Sequence, residues 1–131
     1  MTTRFIHPKF LAKANGYTPA VEVRGGRTLY ISGQVPLDEA GQVVVVGDFE
    51  AQARQVFQNI KHALLAADMD FGHVVKLGLF VTDMSNLATL RRVRDEFTNA
   101  AQPPASTLVQ VAGLFHPDIL FEAEAIAVAP E

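Results

Sequence analysis

The chain has no cysteine and no tryptophan among its 131 residues, and only two tyrosines. Without thiols there are no disulfides, no thiolate metal sites and no cysteine nucleophile. An excess of positive charge is missing too: 11 lysines and arginines stand against 14 acidic residues, a formal net charge of −3. Such a balance gives no global attraction to nucleic acid or to an anionic membrane. Long hydrophobic runs are also absent. The opening segment "MTTRFIHPKFLAKANGY" has no apolar stretch of signal-peptide length, and no later run approaches a membrane span. These absences lead to the expectation of a soluble, cytoplasmic protein with neither a membrane nor a nucleic-acid partner.

What is present is a composition of 49% hydrophobic and 19% charged residues, which suits one compact domain over residues 1–131. Residues 1–16 contain Pro8 and the pair Asn15 and Gly16, and they read as an N-terminal loop. "PAVEVR" and "RTLYIS" read as two short strands joined by a glycine hairpin at "GGR". After a turn at "LDEAGQ", the β-branched run "VVVV" suggests a third strand. From Asp48, a plausible N-cap, the period becomes helical: Phe49, Ala53, Val56, Phe57, Ile60, Leu64 and Ala67 form one apolar stripe. "HVVKLGLFVTD" is nearly continuous in apolar content, as a strand covered on both faces should be. Asp83 and Ser85 are possible caps of a second helix with Leu87, Leu90, Val93 and Phe97 on its apolar side. Arg91, Arg92 and Arg94 are assigned to its solvated side. Pro103 and Pro104 bar its continuation. Two strands follow, "STLVQVAGL" and "ILFEAEAIAV", separated by "FHPD".

The order is β-β-β-α-β-α-β-β, which predicts an α+β fold: a mixed six-stranded sheet with both helices on one face. Alternation in the last strand places Phe121, Ala123, Ala125 and Ala127 toward the helices. Leu120, Glu122, Glu124, Ile126 and Val128 then face away, a mixed apolar and acidic surface that a lone monomer would leave open. Surfaces of this kind mark partner interfaces, and a homo-oligomer is expected.

"GYTPAVEV", "LYISGQVPLD", "QARQVFQNIKHALLAAD", "VVKLGLFVTDM" and "PPASTLVQVAGL...FEAEAIAV" together resemble the Rid family, also called YjgF or L-PSP endoribonuclease-like. The resemblance runs from Tyr17 to Val128 in the same element order. It implies a chorismate-mutase-like fold assembled as a homotrimer, with a small-metabolite cleft at each subunit interface. In the branch that deaminates reactive enamines and imines, an arginine after "P-A" grips the substrate carboxylate through its guanidinium fork. A glutamate matched by Glu122 handles the attacking water, a tyrosine matched by Tyr17 closes the cleft, and Ser32 and Gly33 match part of its wall. Here the arginine position is Ser106, followed by Thr107, and no arginine occurs after Arg94. A serine hydroxyl makes one neutral hydrogen bond, which is weaker than a charged bidentate contact. The resemblance is therefore to a branch without that grip.

Each of these residues has a plainer role open to it. Glu122 either positions water or serves as a structural carboxylate; Glu124 is assigned a structural role, with Lys76 one possible partner. Ser106 either bonds a ligand or merely begins a strand, and no neighbouring base would activate it as a nucleophile. Tyr17 is either a lid or an interface aromatic. "FHPD" is one residue longer than the deaminase pattern and would bring His116 near the mouth of the cleft. His7, His62, His73 and His116 are not at metal-ligand spacing, so neither a metal nor a cofactor is expected. The functional expectation is a hydrolytic deaminase or related hydrolase of a reactive imine or enamine other than a simple 2-imino acid. The alternatives are a non-catalytic metabolite-binding or regulatory trimer and, less favoured by the acidic charge, an endoribonuclease.

Overall fold

The computed structural model describes residues 1–131. It contains strands β1 (Thr2–Ile6), β2 (Ala20–Arg24), β3 (Arg27–Gln34), β4 (Val74–Val81), β5 (Ala105–Gln110) and β6 (Phe121–Ala129), with helices α1 (Phe49–Ala66) and α2 (Leu87–Asp95). The order β-β-β-α-β-α-β-β agrees with the sequence, but one strand differs in identity. Residues 1–16 are not all loop, because "TTRFI" is rich in β-branched and aromatic side chains and pairs antiparallel with β2, Phe5 opposite Val21. "VVVV" is not a strand. Val45 sits at a φ of 42°, and Val43 makes only an isolated bridge to Leu37, so the run turns instead of extending.

The α+β class stands, whereas the six strands divide between two sheets. β1 and β2 form a ribbon, and the main sheet has the order β3-β6-β4-β5. In the main sheet β4 and β5 are parallel and the other neighbours antiparallel. The expected hairpin at "GGR" is a corner: β2 and β3 do not pair, and Gly25 and Gly26, both at positive φ, pass the chain from one sheet to the other.

Asp48 caps α1, its carboxylate accepting the Ala51 N–H at 3.0 Å. The buried stripe of α1 meets the Phe121, Ala123, Ala125 and Ala127 face of β6 and Leu77, Leu79 and Val81 of β4. Small alanines in the sheet allow the helix to lie close, and bulky helix side chains fill the gap. Phe57 is the centre of this core, with ring centroids 5.4 Å from Phe97, 5.7 Å from Phe121 and 6.4 Å from Phe71. Full burial of such a ring contributes about 1.5–3 kcal/mol. α2 packs against α1. Asp83 caps the 3-10 turn Met84–Asn86 ahead of α2 by accepting the Ser85 N–H at 2.9 Å, so Ser85 is the capped residue and not a second cap.

Candidate functional site

On the sheet face away from the helices, β6 carries both glutamates. Register places Glu124 opposite Gly78 and Glu122 opposite Phe80. Gly78 leaves the space that Glu124 needs, since a Cβ there would lie 2.9 Å from the Glu124 Cγ. Gly33, beside the irregularity between Ile31 and Gln34 in the β3–β6 pairing, does the same for Glu122: a Cβ would collide with the carboxylate. Neither glutamate has an ion-pair partner within the chain. Lys76, considered above as a partner for Glu124, donates instead to the Thr107 hydroxyl at 2.9 Å. Partial burial, with the negative charge of Glu124 added, raises the Glu122 pKa above the usual glutamate value. A carboxyl poised in this direction can accept a proton from water nearer neutrality. A cavity of about 370 Å³ on this face is lined by Tyr30, Ser32, Lys76, Glu124 and Ile126 among others. Gly33 borders a different and larger hollow, of about 530 Å³, beside Asp38, Asn59 and His62.

Ser106 lies on the opposite face. It pairs with the fully buried Leu77, so alternation turns it toward the helices, whereas Thr107, paired with Gly78, turns toward the glutamates. Ser106 and Tyr17 share a cavity of about 140 Å³ between β5 and α2. Thr18 explains how a loop far away in sequence reaches this place. Its buried hydroxyl donates to the Pro103 carbonyl, and its N–H donates to the Pro104 carbonyl at 3.1 Å, clamping the Tyr17 loop to the start of β5.

The same cavity corrects the assignment of Arg94 to a solvated face. Arg94 is only 9% exposed and lines the cavity with Tyr17 and Ser106. Leu87, Leu90 and Arg94 are spaced i, i+3 and i+7, so the arginine occupies the helix's inward stripe. Arg91 stands at the rim. Gln52 was missed for the same reason: it sits within the α1 stripe, fully buried, donating to the Asp118 carbonyl at 2.8 Å and accepting the Leu120 N–H at 2.9 Å. In both helices the available signal was a polar residue at an apolar period. His116 lines none of the cavities; its Nδ1 accepts the Asp118 N–H at 3.0 Å and shapes the turn into β6.

Within one chain, then, Tyr17 and Ser106 form one group, and Ser32, Gly33, Thr107 and Glu122 belong to the other face of the sheet. Comparison with known proteins adds the following. Residues 8–129 match the family model described as Endoribonuclease L-PSP. Protein DfrA of Myxococcus xanthus is 41% identical over 115 residues, 87% of each chain. A mouse protein named 2-iminobutanoate/2-iminopropanoate deaminase is 38% identical over 112 residues, covering 86% of this chain and 80% of its own. The crystal structure of YyfB from Yersinia pestis, described as a conserved Rid family protein of unknown function, superposes with a TM-score of 0.90 at 34% identity over 98% of this chain and all of its own. No helix is long and apolar enough to cross a membrane.

Proposed function

The chain belongs to the L-PSP endoribonuclease-like (Rid) family, and on that premise we propose that it hydrolyses a small reactive imine or enamine in clefts between the subunits of a homotrimer. The observation that carries this is the division of the site residues between two faces. The Glu122 carboxylate lies on one side of the sheet and the small Tyr17 and Ser106 cavity on the other, and a seam between two copies is a simple way to bring them together and to enlarge the space. The open face supplies a reason for copies to join, because Tyr30 is 75% exposed there beside the apolar side chain of Ile126.

In the proposed reaction Glu122 accepts a proton as water attacks the imine carbon to form a carbinolamine, then returns it to the nitrogen, so that the C–N bond breaks, the C=O bond forms and ammonia leaves with Glu122 restored. No metal or cofactor is needed for that step. With serine at position 106, a carboxylate receives no bidentate grip from β5, so simple 2-imino acids held in that manner are not the preferred substrates. The mouse relative's name supports the imine class and not a particular substrate for this chain. The test is release of the oxo acid and ammonia from imines generated in situ by a serine or threonine dehydratase, compared with imines that carry no carboxylate. Faster hydrolysis of at least one imine than in buffer supports the reading. Ligand binding without any turnover favours a metabolite-sensing trimer instead.

A further inference from the structure

The Arg94 guanidinium has more hydrogen-bonding capacity than the protein uses. Nε and Nη2 both donate to Asp95 Oδ1, at 3.1 and 2.9 Å, which engages two of the five N–H groups an arginine offers. Nη1 has no acceptor in the protein, and it is not sealed from solvent. The pairing with Asp95 uses the side of the guanidinium, so the end-on edge formed by Nη1 and the second Nη2 proton has no acceptor in the protein, with the Gly16 backbone packed close to both nitrogens. Asp95 itself is 55% exposed at its side chain, a weak counterweight for a cation that is nine-tenths buried. Nine-tenths burial of a guanidinium is costly unless polar partners meet it, and the end-on edge of Arg94 meets none in the protein while still reaching solvent, so it is open to a partner from outside.

The surroundings are shaped to that group. Gly16, at a φ of 77°, brings the backbone so close to Arg94 that a Cβ there would overlap Nη2 and Cζ. The loop that carries Tyr17 thus closes over the guanidinium, and Thr18 holds it there. Ser106 contributes a hydroxyl to the same cavity, and Arg91 at its rim has no ion-pair or hydrogen-bond partner. A volume of about 140 Å³ corresponds to about five liquid waters, enough for a small oxyanion of similar size.

We propose that Arg94 is the anion anchor of this cleft, taking the carboxylate of a small ligand on its end-on edge while Ser106 donates a hydroxyl hydrogen bond beside it. The proposal rests on the hydrolase reading for the identity of the cleft and deepens it. The ligand is anionic, but its anionic end sits on helix α2 and not on strand β5, which changes how far the reacting carbon lies from the carboxylate seat.

Pyruvate serves as the carboxylate probe and pyruvamide as its uncharged counterpart, both titrated against the intact protein by NMR. Pyruvate should shift the Arg94 guanidinium Nε resonance in the unmodified protein. R94Q should weaken pyruvate about 10- to 100-fold while leaving pyruvamide within about twofold, and R94K should recover part of the loss by restoring charge without the fork. Unchanged pyruvate affinity in R94Q, or equal loss of both probes, overturns the proposal. If R94Q does not fold, the unmodified protein decides: an Arg94 resonance that pyruvate leaves unmoved is equally fatal. A shifted Arg94 with no imine turnover would remove the hydrolase reading and leave the anion site standing.

Discussion

The carboxylate of Glu122 occupies the space that a side chain at Gly33 would need. This contact joins β3 to β6 on the open face and fixes where the acid can point. Replacing Gly33 by alanine should destabilise the protein by no more than about 1 kcal/mol, because the atom it meets is the far end of the part-exposed Glu122 side chain, which can turn away at the cost of an unfavourable rotamer. The loss should shrink when Glu122 is also replaced by alanine, because the two sites then no longer collide. Urea unfolding of the single and double variants checks this coupling.

Glu122 also sets a pH dependence. Its folded pKa is raised by burial and by Glu124, so folding favours the neutral acid. That contribution is fully present below the unfolded glutamate value and is lost as pH rises through the folded one. E122Q should accordingly be more stable than the parent at neutral pH, and the difference should disappear near pH 4. The proposed imine hydrolysis, if carried by Glu122, should fall by about 100-fold or more in the same variant. Denaturation midpoints across pH, with turnover measured in parallel, test both halves.

The Thr18 hydroxyl fixes the Tyr17 loop to Pro103. T18V keeps the shape but leaves a buried carbonyl without its donor, at a cost of about 1–3 kcal/mol. Its functional signature should be a raised KM with a smaller change in kcat, because the lid and the Arg94 cleft lose their alignment while Glu122 is untouched. Steady-state kinetics on any turned-over imine separate the two parameters.

Tyr30, on the open face, should lie in the proposed trimer contact. Y30D should convert a trimer to smaller species in sedimentation and abolish turnover in parallel, since a cleft between subunits cannot outlive the seam. A trimer that survives the change with full activity would place the interface elsewhere.

Local rules carried much of the fold because the elements obey them. Asp48 caps α1 where a capping side chain was expected, and the α1 stripe and the two faces of β6 follow from periods of 3.6 and 2. The misses have physical causes. Val43 to Val46 have strand propensity, but propensity reports a preference for a packed, pleated surface, and Val45 and Val46 are 55% and 62% exposed in a turn. Thr2–Ile6 becomes a strand only because β2 lies beside it. Ser106 and Glu122 both belong to strands, yet their opposite facing depends on register with β4, which no local pattern contains. Arg94 was hidden by its own chemistry, since a charged residue is assigned outward unless its helical position is given more weight than its charge.

The glycine corner at residues 25 and 26 gives the molecule two tiers of cooperativity. β1 hydrogen-bonds only to β2, and β2 has no ladder to the main sheet, so the ribbon can open while the sheet beneath α1 remains closed. Amide protons of Val21 and Val23 should therefore exchange with deuterium through local openings, orders of magnitude sooner than those of Leu77 and Leu79, whose release awaits global unfolding. Substitutions within β1 should accordingly leave the packing beneath α1 intact, whereas the Thr18 segment that joins the two ribbon strands stays anchored to Pro103 and Pro104.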